Sequence, residues 1–282
     1  MEHYFELSLR NDHLSGRLST DIRQHGSLPL DSRPIIILVH GFNNNYKQAM
    51  DSFDSFIANL KRSTATSSIP KSICRLFWPG NLTNALASKL SYAQQVPKSL
   101  RCAAMLSDYL VDLARAKPGT PIILIAHSLG CRLVLETILH AESRYPEMAG
   151  RFLLSVLMAA AVPGFMVNDR YGRLYPVRLS EKKFFGLHST ADNILHVAFP
   201  AGQTLAGEGF FPPALGLNGK PKSFWTAGER ATGLAHGNYW QDQENSAIIS
   251  TMMGQSSIRY LPQRKLAKHR QVYYWLNALG ER

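Results

Sequence analysis

Ser128 is the residue around which chemistry can be built. It closes the segment Pro121-Ile122-Ile123-Leu124-Ile125-Ala126-His127-Ser128-Leu129-Gly130. An apolar β-branched run ends abruptly at the serine, and a helical pattern follows at once through Cys131, Leu133, Val134, Leu135, Ile138 and Leu139. Strand, sharp turn and helix with a serine at the apex is the layout that exposes a hydroxyl for nucleophilic attack. Such a turn brings the residues two before and two after the serine close together, so both must be small. Ala126 and Gly130 meet that demand, as an alanine variant of G-x-S-x-G.

A serine hydroxyl is a poor nucleophile without a base, a partner that orients the base, and donors for the oxyanion. Val39-His40-Gly41-Phe42-Asn43 follows a buried-type strand. There a glycine lets backbone approach a substrate, and the Phe42 amide is one candidate donor. The Leu129 amide, directly after the serine, is the other. Asp192 ends an apolar strand that runs through Phe184-Phe185-Gly186-Leu187 into a polar turn, and is the candidate acid. Asp169, in the loop after the preceding strand, is its rival. His236, in the glycine-flanked loop Gly233-Leu234-Ala235-His236-Gly237, is the candidate base. His196 is the alternative, but it lies only four residues past Asp192, too near in the chain to reach both Asp192 and Ser128 easily.

The elements that would position these residues alternate. Strands are expected at Tyr4–Leu9, Ile35–Val39, Ile73–Trp78, Pro121–Ala126, Phe152–Ala161, Lys183–His188 and, last, Phe224–Thr226. Helices are expected at about Lys47–Arg62, Pro97–Ala116, after Ser128, at Glu244–Met253 and at Lys265–Leu279. Strands that are apolar throughout belong to sheets covered on both faces. The pattern therefore predicts an α/β fold: one domain over 1–282, with a mostly parallel twisted sheet of about eight strands and helices on both faces. Two stretches, Pro163–Ser180 and Phe199–Lys222, lack periodicity. The second carries Leu205, Phe210, Phe211 and Leu215 among glycines and prolines, which argues against regular helix. It is expected to act as a lid or pocket loop, with Phe210 and Phe211 binding the substrate's acyl chain.

The order Ser128, Asp192, His236 is that of the α/β-hydrolase superfamily. In Val39-His40-Gly41-Phe42, Ala126-His127-Ser128-Leu129-Gly130, Asp192 and His236 the chain resembles that superfamily's serine esterase and lipase-like branch. His40-Gly41-Phe42-Asn43-Asn44 together with Phe77-Trp78-Pro79-Gly80 looks like a bacterial set of largely uncharacterised α/β-hydrolases. Members of that set carry His-Gly-Phe-Asn, Trp-Pro and His-Ser-x-Gly in this order. The resemblance covers roughly Ile35 to Trp240. It implies an eight-stranded sheet and a Ser-His-Asp triad, and no particular substrate. That set often has Ala-Pro-Asp after the strand that follows the elbow helix. Here the stretch is Ala160-Ala161-Val162-Pro163-Gly164, without an aspartate until Asp169, which favours Asp192 as the acid.

The expected activity is hydrolysis of carboxylic esters through an acyl-enzyme. The alternatives are acyl transfer by the same residues, or an inactive hydrolase-like scaffold that binds protein. Composition fits a globular chain: 282 residues, 45% hydrophobic and 18% charged. No zinc-type His/Glu spacing, no CxxC and no glycine-rich nucleotide loop is present, so neither metal nor cofactor is expected. The net charge of +11 favours anionic surfaces. Its one dense stretch, Arg264, Lys265, Lys268, His269 and Arg270, is a solvated helix face or a membrane contact. Aromatic and basic residues do not interleave in a nucleic-acid module, and no nucleic acid is expected as partner. The expected substrate is a small-molecule or lipid ester. Cys74, Cys102 and Cys131 sit among apolar neighbours and read as buried thiols of a reducing compartment. With no basic-then-apolar leader at the N-terminus, a cytoplasmic location is expected.

Overall fold

The apolar strands assemble as their patterning requires. The computed structural model describes residues 3–13, 16–28, 34–63, 72–81, 88–168, 170–178 and 182–258. They contain β1 (His3–Arg10), β2 (Leu18–His25), β3 (Ile35–Val39), α1 (Tyr46–Ser63), β4 (Ser72–Phe77), α2 (Ser88–Ala116), β5 (Ile122–His127) and α3 (Leu129–Arg144). Then follow β6 (Phe152–Met158), α4 (Gly164–Asn168), α5 (Tyr175–Arg178), β7 (Lys183–His188), α6 (Phe199–Leu205), α7 (Leu215–Asn218), β8 (Glu229–Ala231) and α8 (Gln243–Ile258). One eight-stranded sheet has the order β2-β1-β4-β3-β5-β6-β7-β8. Only β2 pairs antiparallel, with β1; every other neighbouring pair is parallel.

The period of two along a strand divides the core. Ile35, Ile37 and Val39 of β3 and Leu124 of β5 join Cys102, Leu106 and Leu110 of α2 and Leu133 and Ile138 of α3. Ile36, Leu38, Ile123 and Ile125 face the other way, onto Phe53, Phe56 and Leu60 of α1 and Ile249 of α8. Both faces of β3 and β5 are covered, and this is why these strands are apolar at every position. The three cysteines are buried and free. Among the described residues, no helix is long and apolar enough to cross a membrane.

Four expectations need correction. β2 was not anticipated, because LSTDIRQH is an edge strand with half or more of its residues exposed and carries no apolar run. The last strand is Glu229–Ala231 rather than Phe224–Thr226. Lys222–Phe224 is a 3₁₀ turn, from which Phe224 stacks on Phe184 and Trp225 packs on Gly186, so apolar character there marks core filling rather than a strand. α2 begins at Ser88, nine residues before Pro97, which lies inside it. The stretch 199–222 is not without helix: α6 occupies its start and α7 lies in its last third. The expected helix at Lys265–Leu279 and the basic stretch Arg264–Arg270 lie outside the described residues.

Candidate active site

Ser128 stands between β5 and α3 with φ 54° and ψ −125°, a conformation that β-carbon sterics disfavour. Its surroundings hold it there. Its N–H donates to the Met158 carbonyl at 2.9 Å, and its carbonyl accepts from Ala161 at 3.2 Å and Cys131 at 3.0 Å. A β-carbon at Gly130 would lie 2.4 Å from the His40 carbonyl oxygen and 2.9 Å from that of Val39. Glycine at 130 therefore lets the start of α3 pass against the end of β3. A β-carbon at Gly41 would lie 2.9 Å from both Ser128 Cβ and His127 Nδ1, so the loop after β3 lies directly on the serine.

That loop carries Phe42. It is braced from β4 and β1 by contacts that sequence reasoning did not foresee. The Trp78 indole donates to the His40 carbonyl at 2.7 Å, and the Trp78 backbone N–H donates to His40 Nε2 at 3.3 Å. The two rings stack at 5.6 Å. His40 Nδ1–H donates to the Gly41 carbonyl at 2.9 Å, and Asn43 N–H to Gly80 at 2.8 Å. Buried Arg10 donates to the Asn44 carbonyl at 2.7 Å and to Asn81 at 2.6 Å. The His-Gly-Phe-Asn and Trp-Pro-Gly segments are thus one packed unit. Neither the Phe42 amide nor the Leu129 amide donates a hydrogen bond among the described residues. Leu129 opens α3, where amides have no partner within the helix and the dipole favours negative charge.

His236 joins Ser128 to Asp192. Its Nε2 is 2.8 Å from Ser128 Oγ, and its Nδ1 is 2.7 Å from Asp192 Oδ2. Asp192 is fully buried in the turn after β7, and its Oδ1 accepts from the Leu195 amide at 3.0 Å. With Nδ1–H donating to the carboxylate, Nε2 presents its lone pair to the serine hydroxyl. The loop of His236 is pinned at both ends, with the Thr232 N–H donating to the His188 carbonyl at 2.8 Å before it. Tyr239 and Trp240 are buried, and Trp240 lies 5.3 Å from both Phe53 and Phe56. His127 Nε2–H donates to the His236 carbonyl at 2.7 Å.

Burial, and then proximity to His236, pushes the His127 imidazole down to about 3; burial, and then Arg10, does the same for His40. Both rings are neutral across the physiological range and act as fixed donors and acceptors. The role of His127 could have been suspected from its place beside the serine; those of Arg10 and Asn81 had no local signal. His196 is exposed, and its backbone N–H only accompanies Asp192, donating to the Asp192 carbonyl at 3.0 Å. Asp169 lies outside the described residues. Phe210 and Phe211 pack edge to face at 5.0 Å but stand out into solvent, whereas Phe199 and Leu215 of the same stretch fill the core.

A mostly parallel sheet with a strained serine elbow at the end of its central strand defines an α/β hydrolase. The chain belongs to the family described as alpha/beta hydrolase of unknown function (DUF900), whose profile matches residues 18–200. That span includes Ser128 and Asp192; His236 lies beyond it. No curated protein matches the chain. Among solved structures it is similar to an uncharacterized protein from Bacillus cereus ATCC 10987. Identity there is 13%, with 84% of this chain and 63% of that one covered and a TM-score of 0.50, so this chain spans less than two thirds of that protein. It is also similar to a predicted CIB-like hydrolase from Thermoplasma acidophilum, at 14% identity, 81% and 89% coverage and TM-score 0.42. The esterase domain of a Rhodothermus marinus protein matches at 15% identity, 83% and 90% coverage and TM-score 0.37. At such identities a likeness is one of fold.

Proposed function

We propose that the protein is a serine hydrolase that cleaves carboxylic esters through an acyl-enzyme. The observation that carries this reading is the single imidazole, His236, within hydrogen-bond reach of both Ser128 Oγ and the buried Asp192 carboxylate. His236 Nε2 takes the Ser128 proton as Oγ attacks the ester carbonyl carbon. Asp192 holds the imidazole in its Nδ1–H form and stabilises the imidazolium. The Phe42 and Leu129 amides hold the tetrahedral oxyanion. The carbon–alkoxy bond then breaks and His236 returns the proton to the departing alcohol. Water, deprotonated by His236, attacks the acyl-enzyme. The acid leaves and Ser128 regains its proton. A fluorophosphonate probe tests the reading directly: it should label the wild-type chain and leave Ser128→Ala unlabelled. Equal labelling of both would place the nucleophile elsewhere.

In this reading His127 positions the base without touching substrate. His127→Leu removes the donor to the His236 carbonyl. It should lower kcat by about tenfold to a hundredfold with little change in KM, as displaced catalytic groups do. The same ring has a second effect. Its folded-state pKa lies below that of the unfolded chain, so unfolding takes up a proton as pH drops from about 6.5 toward 3 and stability falls over that window. Thermal unfolding across these pH values should therefore be less acid-sensitive in His127→Leu. An unchanged kcat and an unchanged slope would remove His127 from this role.

Phe210 and Phe211 are assigned to the acyl side of the substrate, at the rim. Phe210→Ala with Phe211→Ala should shift the preferred ester chain length, while fluorophosphonate labelling of Ser128 persists. A folded double variant with the wild-type chain-length profile would take both residues out of substrate binding.

A further inference from the structure

Seven large hydrophobic side chains are exposed among the described residues: Phe165, Tyr171, Ile194, Val197, Leu205, Phe210 and Phe211. All fall within the one stretch 165–211, and none occurs in the rest of the described chain. Single exposed apolar groups scattered over a surface are ordinary; their confinement to one region marks a contact surface. Phe210 is 86% exposed and Tyr171 81%, values that belong to projecting anchors rather than to the edge of a core.

These segments are drawn together. A β-carbon at Gly209 would touch the Phe165 ring at 3.1 Å, and one at Gly172 would meet the Phe165 carbonyl at 2.6 Å. The Phe211 amide donates to Thr204 Oγ1 at 2.8 Å, beside Leu205. Val197 and Leu205 lie two turns apart on the helical run that begins two residues after Asp192 and ends in α6. A buried charge network fixes the whole to the serine helix. Fully buried Arg132, one turn beyond Ser128, grips Glu208 with two hydrogen bonds of 2.7 and 3.2 Å and Glu136 at 2.8 Å. Glu136 in turn holds Arg173 at 2.8 Å.

Among the described residues, the charge left on this rim is positive. Of its described carboxylates, Asp192 is engaged by His236 and Glu208 by Arg132. Arg170 lies 4.7 Å over the Tyr171 ring and Arg178 5.7 Å over Tyr175, while Arg173 is engaged by Glu136. Projecting phenylalanine and aliphatic groups, with tyrosine and arginine pairs in the same stretch, match the composition of a lipid interface. Apolar tips enter the acyl boundary, while aromatic-polar and cationic groups sit at headgroup level. The net charge of +11 adds long-range attraction to an anionic leaflet.

We propose that this rim docks the protein on an anionic lipid surface, and that the ester it hydrolyses is presented by that surface. Docking stands on the rim alone; the choice of substrate rests on the proposed ester hydrolysis. The test is co-sedimentation of the full chain, carrying Ser128→Ala to prevent turnover, with vesicles of phosphatidylcholine alone or mixed with phosphatidylglycerol. Binding to the mixed vesicles is expected, weakening with salt and about tenfold lower on phosphatidylcholine alone. Adding Val197→Ser with Leu205→Ser, or Phe210→Ser with Phe211→Ser, should each lower partition by about tenfold.

On an intact Ser128 background, Val197→Ser with Leu205→Ser should keep turnover of a water-soluble short ester within about twofold, and lose about tenfold on an ester embedded in anionic vesicles. Wild-type binding by both rim variants would overturn the proposal and move the contact to another basic part of the chain. Absence of binding would overturn it in favour of a protein partner or a second copy. Equal binding to neutral vesicles would overturn the anionic assignment. Vesicle binding by a protein whose Ser128 proves unreactive would leave the docking surface standing and the ester chemistry fallen; a reactive Ser128 without vesicle binding would do the reverse.

Discussion

Ser128→Ala is expected to lower kcat for a soluble ester by roughly three orders of magnitude or more, with KM little changed and the fold intact. The hydroxyl is the one group of this side chain that the structure connects to anything reactive, through the 2.8 Å contact with His236. Its loss would remove the proposed covalent step. The proposed oxyanion donors would remain, because they are backbone amides whose places are set by Gly41 and by the start of α3. Alanine keeps a β-carbon where serine has one, so the strain at φ 54° is unchanged and the elbow does not relax. Steady-state kinetics beside a thermal melt separates the two effects. Retention of wild-type kcat within tenfold would show that attack comes from another residue.

Asp192→Asn should be nearly as severe, costing roughly 10³–10⁴ in kcat. Asp192 uses both oxygens: one accepts from the Leu195 amide, the other from His236 Nδ1. Asparagine has one acceptor oxygen. If the Leu195 amide keeps it, the side-chain NH₂ faces His236 and forces the proton from Nδ1 to Nε2. The imidazole then offers the serine a donor where it needs an acceptor. The side chain is fully buried and the replacement isosteric, so the fold should persist. A kcat within tenfold of wild type, in a variant with an unchanged melting profile, would assign orientation of the base to another acid.

How much of this is legible in the sequence depends on the range of the interaction. That Ser128 sits at a strand–turn–helix apex can be read from a dozen consecutive residues, because sterics of the turn act locally through Ala126 and Gly130. That Asp192 and His236 come round to it can be read from chain order along a parallel sheet. The brace on the Phe42 loop cannot. Arg10, Trp78 and Asn81 reach it across strand pairings that no short pattern encodes, although the Trp-Pro-Gly motif marks where one of them stands. β2 escapes because an edge strand with one wet face carries little apolar signal. Phe224 and Trp225 mislead because a buried aromatic in a turn looks, in one dimension, like a strand. α6 is hidden by Pro200 and Gly202: the proline is tolerated in the first turn, and the glycine accommodates the Tyr92 ring, 2.5 Å from where a β-carbon would stand.

The backbone bonds that hold Ser128 have a bearing on how the molecule reaches its working state. Its N–H and carbonyl are claimed by Met158 and Ala161, at and beyond the end of β6, while Gly41 and Gly130 seal it against the end of β3. Met158, Ala161 and Gly41 all come from outside β5; of these neighbours Gly130 alone is close to it in the chain. The serine adopts its strained angle only after three central strands have docked in register, a set of contacts whose loop-closure cost makes them late to form. A newly made chain therefore carries no exposed, primed hydroxyl while its sheet is incomplete. If Ser128 is the nucleophile proposed above, its reactivity toward an electrophile should appear with the last cooperative step of folding and vanish with the first step of unfolding, and so report on the integrity of the sheet centre.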